Sequence, residues 1–200
     1  MKKTSLLALA LVAGFASASN AKISQYATGK VSLNDVHGKI DVTGDVTDAD
    51  EKFSDIGAGI SLGYGLDFGN NFRSDVEISY NLKTTDEKTY DEGDKSVLKT
   101  KSTSVMLNGY YDIKTGTEWT PYITAGIGYS HVENGGDEND WYKGDNFAYQ
   151  AGVGTSYALT SNIALDAGYK YVDLGKVDVD SEVKVKNRMN QFSIGARMAF

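Results

Sequence analysis

The sequence contains no cysteine and a single proline, Pro121. Without cysteine there is no disulfide framework, no thiolate metal site, no cysteine nucleophile and no N-terminal cysteine to acylate. With one proline, no Gly/Ser linker and no long block of like charge, nothing marks a boundary between domains. Histidine is scarce too, at two residues, His37 and His131. The formal charge is −7, and with no Lys/Arg cluster to neutralise phosphates this excludes nucleic acid as a partner. What the chain does hold is glycine (22) and tyrosine (13) in quantity, an uncommon pairing for a soluble α/β enzyme.

Long hydrophobic runs are also missing, with one short exception. MKKTSLLALALVAGFASASNA begins with Lys2 and Lys3, continues through an apolar run from Leu6 to Phe15, and ends in small residues. Ten apolar residues fall well short of the roughly 20 that a spanning helix needs. The pattern is that of a cleaved secretory signal over residues 1–21, with cleavage between Ala21 and Lys22 and an alternative after Ala18. Residues 1–21 carry two lysines and no acid, so residues 22–200 hold 18 basic and 27 acidic side chains, a formal −9.

Period two recurs along the rest of the chain, and no helical period competes with it. In DIGAGISLGYGLDFG, the residues Ile56, Ala58, Ile60, Leu62, Tyr64, Leu66 and Phe68 alternate with glycine, serine and aspartate. FRSDVEISYNL sets Phe72, Val76, Ile78, Tyr80 and Leu82 against Arg73, Asp75, Glu77, Ser79 and Asn81. Similar alternation around 102–112, 119–130, 147–159, 163–173 and 190–200, with a weaker stretch at 26–33, gives eight strands of about 9–13 residues. Short connections near 69–71, 114–118 and 160–162 alternate with long polar ones near 34–52, 83–101, 132–146 and 173–190. The fold expected is all-β, an eight-stranded antiparallel up-and-down transmembrane barrel whose two ends differ.

The apolar face is assigned to lipid for two reasons. The other face is rich in glycine and short polar side chains, which suits the interior of a small barrel. Aromatic residues on the apolar face sit at strand ends, Phe68, Phe72, Tyr111, Trp119, Tyr157 and Phe200 beside short turns and Tyr80, Tyr129, Phe147, Tyr149, Tyr171 and Phe192 beside long loops. Two aromatic belts around an uncharged band are what the two bilayer interfaces select.

On these residues, and on PYITAGIGYSHV (121–132), ALDAGYKYVDLG (164–175) and FSIGARMAF (192–200), the chain resembles the small eight-stranded outer-membrane barrels, the opacity-type porin and OmpA-like barrel superfamily. The resemblance implies an outer-membrane location, lipids and lipopolysaccharide as surroundings, and insertion by the barrel assembly machinery. It also implies a structural or adhesin-like surface role, with a host-surface ligand held by the four long loops. Phe192, Ile194, Ala196, Met198 and Phe200 look like the terminal signature that the machinery reads. A monomer with no cofactor is expected.

The candidate site is a set of inward charges: Arg73, Asp75, Glu77, Asp112, Asp166, Lys170 and Arg197, with Gln150 among them. In a low-dielectric lumen they must pair or reach water, with Glu77 or Asp166 as the partner of Arg197. Inward Tyr110, Tyr122 and Met106 occupy part of the lumen, and the inward glycines suggest free volume. An alternative function is therefore a narrow porin-like channel, although open aqueous pores need about 16 strands. The acidic stretches 45–55, 86–95, 133–140 and 178–182 lack the register of a calcium loop and read as solvated. A barrel-embedded lipid A-modifying enzyme is a remote alternative, because Ser130 and His131 point to opposite faces of one strand.

Overall fold

The computed structural model describes residues 23–42, 52–89, 95–135, 141–178 and 183–200. Eight strands form a closed antiparallel barrel in sequence order: β1 (Ser24–Val42), β2 (Lys52–Asp67), β3 (Phe72–Thr89), β4 (Lys95–Asp112), β5 (Trp119–Gly135), β6 (Trp141–Ala158), β7 (Ile163–Asp178) and β8 (Val183–Ala199). The signal-cleavage pair Ala21 and Lys22, and most of the acidic stretches, lie outside the described residues.

Partners can be followed around the barrel at right angles to the strands. From Tyr26 the path runs through Gly65, Asp75, Asn108, Gly126, Gln150, Val172 and Met189 and returns to β1 at Val36, ten residues further on. With about 3.3 Å per residue and 4.8 Å between strands, that stagger sets a tilt of about 40°. Strands of 16–19 residues then rise about 40–48 Å, against an apolar band of about 25 Å.

The tight connections fix the lower end. Gly69 and Asn71 both take positive φ between β2 and β3, as does Gly116 between β4 and β5. Closure at the same end joins Phe200 to Gln25, with backbone N–H to carbonyl contacts of 3.0 and 3.3 Å. Outward side chains between the ends are uncharged and mostly aliphatic, and they lie bare: Leu62 is 72% exposed and Ile194 65%. Aromatic pairs ring both margins of this band. Phe72–Tyr111, Trp119–Tyr157 and Tyr64–Phe200 sit at the turn end, and Tyr129–Phe147 sits at the other.

Three expectations change. The strands are far longer than 9–13 residues, so most of the supposed long loops is paired strand, leaving only 43–51, 90–94, 136–140 and 179–182 between strand ends. Phe68 is no part of the lower belt, being buried beside the first turn at 5% exposure. Nor is there empty space over the inward Gly65, Gly128 and Gly154. A Cβ on Gly65 would stand 2.6 Å from the Tyr26 ring, one on Gly154 2.4 Å from Tyr122, and one on Gly128 2.9 Å from the Met106 sulfur. Glycine there lets large neighbouring side chains lie flat across the wall.

Candidate functional site

Every predicted inward charge points into the lumen, and they gather into two groups. At the turn end, Arg73 Nε donates to Asp112 Oδ2 at 2.7 Å, and Arg197 lies 3.8 Å from Asp166. Ser156 hydrogen-bonds to Asp166 and accepts from Arg197 at 3.2 Å. The Arg73 guanidinium carbon sits 4.3, 5.1 and 5.8 Å from the ring centroids of Tyr110, Tyr122 and Tyr26. Its Nη2 has no hydrogen-bond acceptor, and the faces of the tyrosine rings supply the negative charge instead.

Above that cage Glu77 is gripped from two sides, by Lys170 at 2.6 Å and Lys30 at 2.7 Å. Asp75 meets no cation directly, accepting from Asn108 (2.9 Å), Tyr26 (3.2 Å) and Tyr110 (3.4 Å). Gln150 donates to Asn108 at 2.5 Å. Arg197 thus meets Asp166 and not Glu77. The residue missed by sequence reasoning is Lys30, on the weakly patterned first strand. Its signal is the parity Tyr26, Thr28, Lys30, Ser32, Asn34 against Ala27, Gly29, Val31, Leu33. With Lys30 included, four cations (Lys30, Arg73, Lys170, Arg197) face four carboxylates (Asp75, Glu77, Asp112, Asp166).

A layer of amides follows, Asn34, Asn81 and Gln191 linked at 2.7 and 3.1 Å. Next comes a feature that sequence reading did not anticipate, an apolar cluster of Val132, Val172, Leu174 and Met189 with Val36 against it. These residues keep inward parity, while their strand neighbours Asp35, His131, Glu133, Asp173 and Arg188 face outward. The two faces therefore exchange polarity at the upper aromatic belt: polar inside and apolar outside within the bilayer, the reverse above it. A cavity of about 10 Å³ remains among Asn34, Gly57, Asn81, Ser102 and Met189, room for about one water.

The outer surface above the belt carries compact charge clusters. Lys101 pairs with Glu133 at 2.8 Å, Lys143 stands 3.7 Å from Glu133, and His131 lies between Asp145 (2.7 Å) and Glu133 (3.3 Å). The hydrogen bond from Lys101 holds the Glu133 carboxyl below its ordinary value. His37 is likewise within 2.9 Å of Asp35 and 3.3 Å of Asn190. Among the described residues neither imidazole is hydrogen-bonded to a hydroxyl. Ser130 turns inward and donates to the Leu174 carbonyl at 2.6 Å, as the parity of the strand requires.

The ladder itself changes at this level. Six interfaces continue upward, but β2 and β3 pair only from Gly59↔Asn81 down, and β6 and β7 only from Tyr149↔Asp173 down. A β-bulge marks each parting, at Asn81/Thr84 on β3 and at Asp173/Gly175 on β7. Bulges bend a strand and increase its twist. Within lipid an unpaired backbone group costs several kcal/mol, so the ladder must close there, and only above it can strands part. The upper part is therefore two four-stranded half-sheets, β3–β4–β5–β6 and β7–β8–β1–β2.

A barrel bare of charge on its outer waist, belted by aromatics and filled with ion pairs is built for a membrane, and residues 4–200 match the family model "Outer membrane protein beta-barrel domain". The chain belongs to that family. This outer-membrane barrel is 32% identical to the outer membrane protein PagN of Salmonella typhimurium, with 95% of each chain covered. It is also 32% identical to a putative adhesin of Rickettsia conorii, over 58% of this chain and 53% of that one. Among solved structures, Neisserial surface protein A shares its fold, with a TM-score of 0.60, 23% identity, and 90% of this chain and 99% of that one covered. The family places the protein in the bacterial outer membrane. Phe192, Ile194, Ala196, Met198 and Phe200 all lie on its lipid face, each exposed.

Proposed function

We propose that this outer-membrane barrel is a sealed, non-enzymatic surface protein, and that its upper half-sheets and their connections form an adhesin-like binding end. The observation that carries this reading is the contrast between the two parts of the barrel. The lumen is filled from the tyrosine cage to the apolar cluster, while eight strands are carried about 15–20 Å beyond the apolar band. A pore has no use for a filled lumen, and a mere scaffold has no use for strands extended into water. The adhesin among its relatives agrees with the reading.

Lipopolysaccharide is the expected neighbour of the outward charge clusters. The barrel assembly machinery is the expected reader of the alternating Phe192–Phe200 strand, and the barrel works as a monomer. The test is surface expression in a non-adherent host strain, followed by binding to epithelial cells and to a panel of matrix proteins and glycans. Binding should exceed that of a variant whose half-sheets are shortened to the aromatic belt and closed by tight turns. Equal binding by the two, with both barrels folded, would remove the adhesin-like role.

A further inference from the structure

We propose that Asp35 and His37 of β1, with Asn190 of β8, bind one divalent first-row metal ion of the Zn²⁺ or Cu²⁺ kind on the outer face of the barrel. The ion clasps the closing seam just above the upper aromatic belt. Such a site is independent of the surface-binding role proposed above.

Residues two apart on a strand share a face, so Asp35 and His37 stand side by side, and the ladder sets Asn190 directly opposite Asp35. Three polar atoms converge there. His37 Nε2 lies 2.9 Å from Asp35 Oδ2, and Asn190 Nδ2 lies 3.3 Å from the first and 3.4 Å from the second. Hydrogen bonds cannot satisfy all three sides of this triangle, because an ionised carboxylate only accepts and Nε2 either donates or accepts. With a proton on Nε2, two donors face each other across the 3.3 Å side. Without one, two lone pairs face each other across the 2.9 Å side. Turning the amide over sets its oxygen against the carboxylate instead. A cation among the three removes the conflict, since imidazole, carboxylate and amide oxygen can each aim a lone pair at it.

The size fits as well. Ligands about 2.1 Å from a metal stand about 3.0 Å apart at right angles and about 3.4 Å apart at the tetrahedral angle, the spacings of this triangle. Imidazole with oxygen donors suits Zn²⁺ and Cu²⁺, and three protein ligands leave a position for water. The Tyr169 hydroxyl, 2.8 Å from the other amide atom of Asn190, holds that amide from behind, and the Tyr169 ring is itself packed on Phe192. The side chains of His37 and Asp35 are 45% and 37% exposed, so an ion reaches them from water. Nearby cations are engaged elsewhere: Lys186 and Arg188 lie 3.3 and 3.4 Å from Asp173, on the far side of β8. His131 offers no comparable site. Its carboxylates sit on opposite ring nitrogens, Asp145 at Nδ1 and Glu133 at Nε2, and Glu133 is shared with Lys101 and Lys143.

The test uses the folded barrel without an affinity tag, stripped with chelator and held in lipid nanodiscs. Zn²⁺ binding is followed by calorimetry and Cu²⁺ binding by electron paramagnetic resonance. The wild type should bind one ion per barrel with a Kd in the micromolar range, and the Cu²⁺ spectrum should show splitting from a single imidazole nitrogen. That spectrum reads the site in the wild type itself, whatever becomes of a variant. His37→Ala should abolish binding, and His131→Ala should leave it unchanged. Asp35→Asn and Asn190→Ala should each weaken it about tenfold or more, the second because the ion is held across the seam. All four substitutions lie on the water-facing wall, and urea titration without metal checks that each variant folds. No binding at about 1 mM metal, where even a Kd in the millimolar range would register, overturns the proposal. So does binding that survives His37→Ala or that His131→Ala abolishes. Binding that needs His37 but is indifferent to Asp35→Asn or to Asn190→Ala is that of an imidazole acting without the triad, and overturns it too.

Discussion

Glu77 and Asp75 lie two residues apart on the same face of β3, yet their surroundings differ in kind. Glu77 is 1% exposed and is the shared counter-ion of Lys30 and Lys170. Asp75, 2% exposed, accepts from two phenols and an amide. Removing one partner from a buried ion pair leaves the other charge without compensation, at a cost of about 3–5 kcal/mol, whereas weakening neutral hydrogen bonds costs about 1 kcal/mol each. Glu77→Gln should therefore destabilise the folded barrel by several kcal/mol, and Asp75→Asn by about 1–3 kcal/mol. Urea titration in lipid bilayers measures both, and comparable losses would show that the two-lysine grip on Glu77 is not the stronger constraint.

At the scale of the element, each strand has two parts with opposite patterning. The lower part was legible in the sequence: outward Val76, Ile78 and Tyr80 against Asp75, Glu77 and Ser79 can hardly be mistaken. The upper part was not, because outward positions turn polar (Lys101, Glu133, Arg188) as soon as they leave lipid. Its inward positions turn apolar (Val132, Val172, Leu174, Met189), so a search for one fixed pattern reads loop. Lys30 escaped because β1 has few large outward residues to declare its parity, and the partings of β2 from β3 and of β6 from β7 have no composition of their own. The upper part has its own electrostatics, and Lys101–Glu133 joins β4 to β5 there. Glu133 titrates lower in the folded barrel than in the unfolded chain. Its stabilising contribution is therefore present above the ordinary carboxylate value and is lost as pH falls through the lowered one. Side-chain NMR should find the Glu133 midpoint below the ordinary range, and Lys101→Met should raise it. An unchanged midpoint would show that the Lys101 hydrogen bond does not set it.

For the molecule as a whole, the question is whether the filled lumen conducts. Four layers lie in series along the axis. The Arg73–tyrosine cage comes first, then the Lys30–Glu77–Lys170 bridge, then the Asn/Gln layer, and last the apolar cluster around Leu174 and Met189. An ion would have to displace a paired charge in the second layer and shed its water to pass the fourth. Each of these is unfavourable in a narrow low-dielectric channel. Layers in series also make the seal redundant, since opening one leaves the others closed. The folded barrel should therefore show no conductance steps in planar bilayers. Leu174→Ala combined with Met189→Ala should stay silent as well, although it loses about 4–10 kcal/mol if the two costs add. Discrete steps from the folded wild-type form would place an open path beside the charge bridge. Steps from the double variant alone would show that the apolar cluster, and not the ion pairs beneath it, closes the barrel.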